Sequence, residues 1–281
     1  MNNFKKYSIP YIIWIIVFTC IPLLLMMLFA FSTIETFSVY NFSFTDYHFT
    51  FANLINLADV NFLEAFARSI IYALIATFMC IIIGYPIAYF LSISKLRYKY
   101  LILLIFIMPM WTNMLLRIQT INNIFSENSF VSNVLNISLD LTNFKSLKII
   151  LVMTMVYLPF MILPVYTVLE KIDKSYIEAS NDLGANKLKS FIKITVPLSL
   201  KGVVSGIMMV FLPCAMGFTI PQIVTNGDPN YRMVGQLIER QFKSSHTFFN
   251  IGSLWSLIII IFVLGSLYII SKVDEEGETL L

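Results

Sequence analysis

Apolar runs and polar connectors alternate along this chain on a scale longer than the face pattern of a soluble helix or strand. Residues 9–31, 69–91, 149–169, 202–224 and 247–271 carry no charged side chain. A shorter apolar run, 100–117, ends on Arg117. A bilayer core of about 30 Å takes roughly 20 helical residues, so each run is a candidate span. Backbone groups in lipid must be paired within the segment, which selects helices over open strands. The expectation is an all-α membrane protein with six transmembrane helices, forming one transmembrane domain over residues 1–281. Pro22, Pro86, Pro109, Pro159, Pro164 and Pro213 fall inside the runs and are expected to kink them. The first run follows Lys5 and Lys6, as in a signal peptide, but is longer than an h-region of about 7–15 residues. It is therefore expected to be an uncleaved anchor.

Composition agrees with this pattern. The 281 residues are 58% hydrophobic and 12% charged, against about 45–50% and 25% in soluble domains. That excludes a disordered chain, a disulfide scaffold and most soluble enzymes. Cys20, Cys80 and Cys214 lie within apolar runs and read as small buried hydrophobes. A scattered net charge of +3 gives no footprint for nucleic acid. His48 and His246 have no ligand at metal-binding spacing, so no metal is expected. Basic residues concentrate in the connectors that lie on one side if the N-terminus is inside, among them Lys95, Arg97 and Lys99 and the lysines between Lys171 and Lys201. By the positive-inside rule both termini are expected to be cytoplasmic. Within the first outer connector, Phe42, Phe44, Tyr47, Phe49 and Phe51 nearly alternate, fitting an aromatic belt or a short strand-like segment.

The connector 171–199 has more internal design than a passive loop. Residues 175–184 read as a short helix, with Ser175 as N-cap and Glu178 completing a capping box. Gly184 permits a sharp stop. A second short helix follows, with Leu188, Phe191, Ile192 and Thr195 on one face, closed by Pro197 before the fifth span. Two short helices meeting at a glycine make a knob suited to a groove on another protein. From spacing alone, an interfacial helix on the inner leaflet fits equally well.

Glu178-Ala179-Ser180, three residues, Gly184, nine residues, then Ile194-Thr195-Val196-Pro197 resembles the EAA motif of ABC importer permeases. That pattern reads E-A-A, three residues, G, nine residues, I-x-L-P, and here Ser180 and Val196 depart from it. The residues Met108 to Arg117, and those from Glu178 to Gly217, are similar to the spermidine/putrescine branch of the same family. The resemblance implies a permease subunit forming half of a polyamine pathway and docking an ATPase through the 171–199 loop. It also implies an ATP-binding subunit pair, a second related permease and an extracytoplasmic polyamine-binding protein as partners, within membrane lipid. The implied coupling residues are Glu178, Ala179, Asp182, Gly184, Leu188, Phe191 and Pro197. No G-x-x-x-x-G-K-[ST] loop is present, so ATP would be hydrolysed on another polypeptide. No cofactor is expected.

A polycation needs carboxylates and aromatic faces along its path. Trp111 and Asn113 in the third run, Tyr85 in the second, and Asp228 and Glu239 beyond the fifth are the candidates. For Trp111 an interfacial anchor fits as well; for Tyr85 a packed seam with Tyr89 fits better, and for Asp228 and Glu239 a solvated loop charge fits better. Arg117 suits a structural pair or an interfacial anchor better than a cation path. Within the class, an opine, an aminophosphonate or a metal chelate is an alternative cargo. An ion-coupled secondary transporter is less consistent with span centres free of charge. A membrane enzyme has no visible catalytic constellation.

Overall fold

The computed structural model describes residues 10–33, 48–94, 97–126, 141–243 and 249–279. Phe42, Phe44, Tyr47, Lys5, Lys6, Lys95 and His246 lie outside them. The described chain is built of helices, and its one isolated β-bridge pairs Ser32 with Phe49. Phe31, Phe49 and Phe51 cluster around that bridge with ring centroids 4.9–5.8 Å apart. Two compact units emerge: residues 1–65 with 235–264, and residues 66–234 with 265–281.

In the first unit, α1 is Pro10–Ala30, and no residue of its apolar window is buried. One turn of α1, Ile16–Cys20, widens to a π-helix. The proline ring of Pro22 would clash with the carbonyl four residues back, and a widened turn relieves that clash. The far end of α1 is pinned by Asn53, whose side-chain amide donates to the Ala30 and Ser32 carbonyls at 3.0 and 2.8 Å. Asn250 donates in turn to Asn53 Oδ1 at 3.3 Å, and the Phe62 and Trp255 rings stack at 4.9 Å.

α2 (Val60–Ile93) runs on into the second unit. There α3 (Lys99–Trp111) and α4 (Met114–Ile124) meet at a bend of 107°. α5 (Lys145–Lys171) is the most enclosed of the long helices. After α6 (Lys174–Asp182) comes α7 (Lys187–Met216), then α8 (Thr219–Val224). α9 (Val234–Lys243) and α10 (Phe249–Thr279) complete the chain. Among the described residues, five helices are long and apolar enough to cross a membrane, and the bent α3–α4 pair would make a sixth.

Close packing in this unit rests on small residues. Met161 of α5 is fully buried between Gly84 of α2 and Gly206 of α7. At Gly202 an added Cβ would stand 2.9 Å from the Pro164 backbone oxygen. That oxygen cannot give way as a side chain can, so α5 and α7 touch backbone to backbone.

Three expected elements come out differently. The run 100–117 is not one helix: it breaks at Thr112–Asn113, because Pro109 cannot continue the hydrogen-bond ladder and Asn113 starts a new helix. The run 202–224 stops at Met216 and resumes at Thr219, because the backbone turns extended at Gly217 (φ −67°, ψ 133°), where an added Cβ would lie 2.6 Å from the Pro213 oxygen. Pro197 does not close a helix, because a π turn at Phe191–Thr195 absorbs its ring and α7 continues to Met216.

Candidate functional site

The knob between α5 and α7 is built from local hydrogen bonds. Asp173 caps α6, its Oδ1 accepting the Ser175 backbone N–H at 2.9 Å. The backbone N–H and then the hydroxyl of Ser175 hold the Asp173 carboxyl below the usual aspartate range. The expected capping box at Ser175 and Glu178 is therefore not formed. Asp173 lies one residue before the helix and its shorter carboxylate takes the orphan amide first. At the other end Gly184 adopts φ +80°. Its N–H reaches the Asn181 oxygen at 2.9 Å, and the Ala185 N–H reaches the Ser180 oxygen at 3.0 Å. These two bonds close the helix in a Schellman turn that glycine enters without steric cost. Asn186 then caps α7 through Oδ1 to the Lys189 N–H at 2.8 Å.

Ser180 stands where the permease motif has its second alanine, and it finds a specific partner. Its hydroxyl lies 2.5 Å from that of Ser190, both side chains being buried, so α6 and α7 are tied across the turn. Outside this tie the knob presents Glu178 and Asp182 to solvent, one helical turn apart. Leu183 is 89% exposed and Leu188 65% exposed. A groove of about 560 Å³ runs along the knob, lined in part by Tyr176, Ala179, Leu183 and Pro197.

The expected single apolar face of Leu188, Phe191, Ile192 and Thr195 is split. Leu188 and Ile192 are exposed, whereas Thr195 is buried and Phe191 turns inward. The widened turn shifts side chains out of the 3.6-residue register, so Leu188 and Ile192 stay on one side while Phe191 and Thr195 fall on the other. The Phe191 ring packs edge-on against Tyr89 and Tyr85, with centroids 4.7 and 6.1 Å apart. The Tyr85 hydroxyl lies 2.8 Å from Ser199 Oγ. Tyr85 thus sits against the root of the knob.

The bend between α3 and α4 carries Trp111 and Asn113. Asn113 caps α4, Oδ1 accepting the Leu115 N–H at 2.9 Å. Trp111 is 78% exposed. Breaking a helix frees backbone acceptors, which in an apolar medium must find other donors. The Pro109 oxygen accepts from the Thr112 hydroxyl and from Arg117 Nη1, each at 2.7 Å. Arg117, an awkward cation by sequence, braces the bend.

At the Lys145 end of α5, remote from the knob, Lys145 Nζ meets Asp228 Oδ2 at 2.6 Å. The Tyr231 ring centroid lies 5.4 Å from the same ammonium. Asp228 Oδ1 also accepts the Asn230 N–H at 3.0 Å. Lys145, followed by that backbone amide, lowers the Asp228 carboxyl below its usual pKa. At the knob end, Lys99 pairs with Glu170 at 3.0 Å, and the Tyr100 hydroxyl donates to the same carboxylate. Glu239 belongs to the first unit, where it pairs with Lys243 one turn along α9. No cluster suited to a metal ion occurs among the described residues. Sequence reasoning missed Lys145, Tyr231, Ser190 and Ser199. Only the position of Lys145 at the start of a span could have marked it.

Comparison with known proteins places this geometry in context. The pattern of the family described as "Binding-protein-dependent transport system inner membrane component" matches residues 1–273. The chain is 32% identical over 252 residues to the spermidine/putrescine transport system permease protein PotB of Salmonella typhimurium, covering 86% of this chain and 85% of that one. With PotB of Escherichia coli the identity is 33% over 235 residues, covering 82% of each. The fold is similar to a chain of a bacterial alginate ABC transporter solved in complex with a pentasaccharide-bound periplasmic protein. That match has a TM-score of 0.70 and 16% identity, covering 96% of this chain and 93% of the other.

Proposed function

This chain belongs to the family of binding-protein-dependent transport system inner membrane components, and from that membership we propose that it imports polyamines, spermidine and putrescine, as one permease of an ATP-driven complex. ATP hydrolysis falls to a separate pair of ATP-binding subunits. A second related permease supplies the other half of the pathway, and an extracytoplasmic binding protein delivers the cargo. Both termini and the knob face the cytoplasm, in keeping with the basic residues of the knob-side connectors. The likeness to curated spermidine/putrescine permeases over most of the chain supports the cargo. No single residue of the path does so.

The knob is the coupling element, and the observation that carries this is its continuity with α7. Thirty residues, Lys187–Met216, run from the knob without a break, a rod about 45 Å long at 1.5 Å per residue. Closure of the ATPase pair on Glu178, Asp182, Leu183 and Leu188 would displace the knob. The Ser180–Ser190 tie and the Gly184 turn keep its two arms moving together. Phe191 passes the motion to α2 through Tyr85 and Tyr89, and α7 carries it to the break at Gly217. Bistable packing of this kind turns a local push into a rocking of helices. Ala179 and Pro197 shape the groove beside the contact. We assign Tyr85 to this lever and leave Trp111, Asn113, Asp228 and Glu239 on the path, with Trp111 offering a cation–π face.

Reconstitution of the assembled importer in vesicles with labelled spermidine tests the reading. Uptake should require ATP inside and the binding protein outside. Transport that survives ATP depletion on an ion gradient would make the chain part of a secondary carrier instead. Uptake of another solute with no response to polyamines would overturn the cargo alone.

A further inference from the structure

An alkylammonium ion is recognised by a carboxylate that neutralises it and an aromatic face that lies against its methylenes and charge. At the Lys145 end of the second unit both are in place around one cation. That cation is part of the chain: Lys145 Nζ stands 2.6 Å from Asp228 Oδ2 and 5.4 Å from the Tyr231 ring centroid. The carboxylate is held ready on a rigid turn. Asn226 and Gly227 take φ +52° and +76°, and the second Asp228 oxygen is anchored by the Asn230 N–H. Arg232 follows two residues after Pro229-Asn230, and its carbonyl accepts from Arg68 Nη1 at 3.0 Å, fastening the loop to α2. Lys145 is different in kind. It is a flexible four-carbon stem ending in an ammonium, which is the chemistry of one end of a diamine, and its side chain remains 36% exposed.

We propose that Asp228 and Tyr231 form an ammonium-binding site for the cargo on the outer side of this permease, and that Lys145 occupies it as a tethered stand-in which arriving cargo displaces. The proposal rests on the polyamine reading and on the orientation given above. The exchange conserves the local charge: one ammonium leaves the carboxylate as another arrives, so Asp228 is never left bare. A partly exposed ion pair is weak enough for such competition. Between cargo molecules the lysine closes the site to small cations.

The test follows the lysine itself. In the assembled importer with its binding protein, the rate at which a membrane-impermeant amine-reactive ester labels Lys145 is read by mass spectrometry, relative to a reference peptide amine in the same sample that corrects for ester consumed by spermidine. Spermidine should raise that rate roughly threefold by releasing the amine, a change of the size of one exposed pair. Sodium chloride at matched ionic strength should raise it less. An unchanged rate, or an equal rise with salt, would overturn the proposal. Uptake kinetics give an independent arm. K145Q should increase the rate of spermidine uptake at low concentration, D228N should reduce it, and the double variant should follow D228N. Equal losses in both single variants would make the pair a structural fastening and overturn the proposal. If variants fail to reach the membrane, labelling of the unaltered protein still decides. Absence of any spermidine uptake by the unaltered importer would instead sink the cargo reading, a result distinct from normal uptake with an unresponsive Lys145.

Discussion

Within the knob that follows α5 the turn and caps are closed over short distances, whereas the Lys145 end of α5 is held by residues far away. The knob's turn and its Ser180–Ser190 tie join residues no more than ten positions apart. The opposite end depends on Lys145 to Asp228, 83 residues apart, and on Arg68 to Arg232, 164 apart. An element that carries its own hydrogen bonds can be displaced as a body without losing them. One assembled from distant partners responds when those partners shift. The first suits a lever and the second suits a place where cargo changes the contacts.

Four substitutions break or sharpen this contrast. Gly202→Ala attacks a contact between distant residues, the meeting of α5 and α7. Its methyl would meet Pro164 backbone at 2.9 Å, so about 1–3 kcal/mol of overpacking is expected, read as a lower unfolding temperature of the purified complex. Gly265→Ala, with nothing within 4 Å of the new carbon, is the control and should be neutral or slightly stabilising. Gly184→Val attacks the local side and has open space around it, so only backbone strain is imposed, about 1–2 kcal/mol. The chain should reach the membrane in normal amount while uptake falls and ATP hydrolysis no longer depends on cargo. Gly184→Asn should be much milder. Unchanged uptake in the valine variant would sink the lever.

Arg117→Met tests the bend. Losing one donor to the Pro109 oxygen, with Thr112 still in place, should cost about 1 kcal/mol. It should raise proteolytic or hydrogen-exchange access around 108–117 without disturbing the knob. The smallest effect is that of acid on the α6 cap. Because Ser175 lowers the Asp173 pKa, the cap's contribution is fully present above the ordinary aspartate value of about 3.9. It is lost as pH falls through the lowered folded value. Hydrogen exchange at Ser175 and Tyr176 in the detergent-solubilised chain should rise only in strong acid. Asp173→Asn should remove that pH dependence while keeping most of the cap.

Much of the knob is legible in the sequence. Gly184 at the elbow follows from its place in the motif, and the short helices flanking it follow from spacing. The cap was misplaced by two residues because Asp173 and Ser175 compete for the same free amides, and spacing alone favours the fuller capping box. The split of Leu188 and Ile192 from Phe191 was hidden because one widened turn rotates the register. Composition marks Pro197 as a helix stop, whereas its neighbours let the helix pass around it. At the bend, sequence marked Pro109 and Arg117 as unusual without connecting them.

What the sequence by itself determined is what local chemistry and solvent decide. Apolar length selects membrane helices, basic connectors suggest their sense, and a spaced Glu-Ala-Ser-x3-Gly motif marks the loop proposed to meet the ATPase. The tertiary structure alone decided which side chains meet. Met161 enters a notch made by glycines on two other helices, Ser199 receives the hydroxyl of Tyr85, and Asp228 receives an ammonium from the start of α5. The physical reason is range. Burial and hydrogen-bond periodicity act between neighbours along the chain and leave a pattern in it. A pair of charges or a glycine notch depends on how separate helices close on one another, and no stretch of sequence records that spacing.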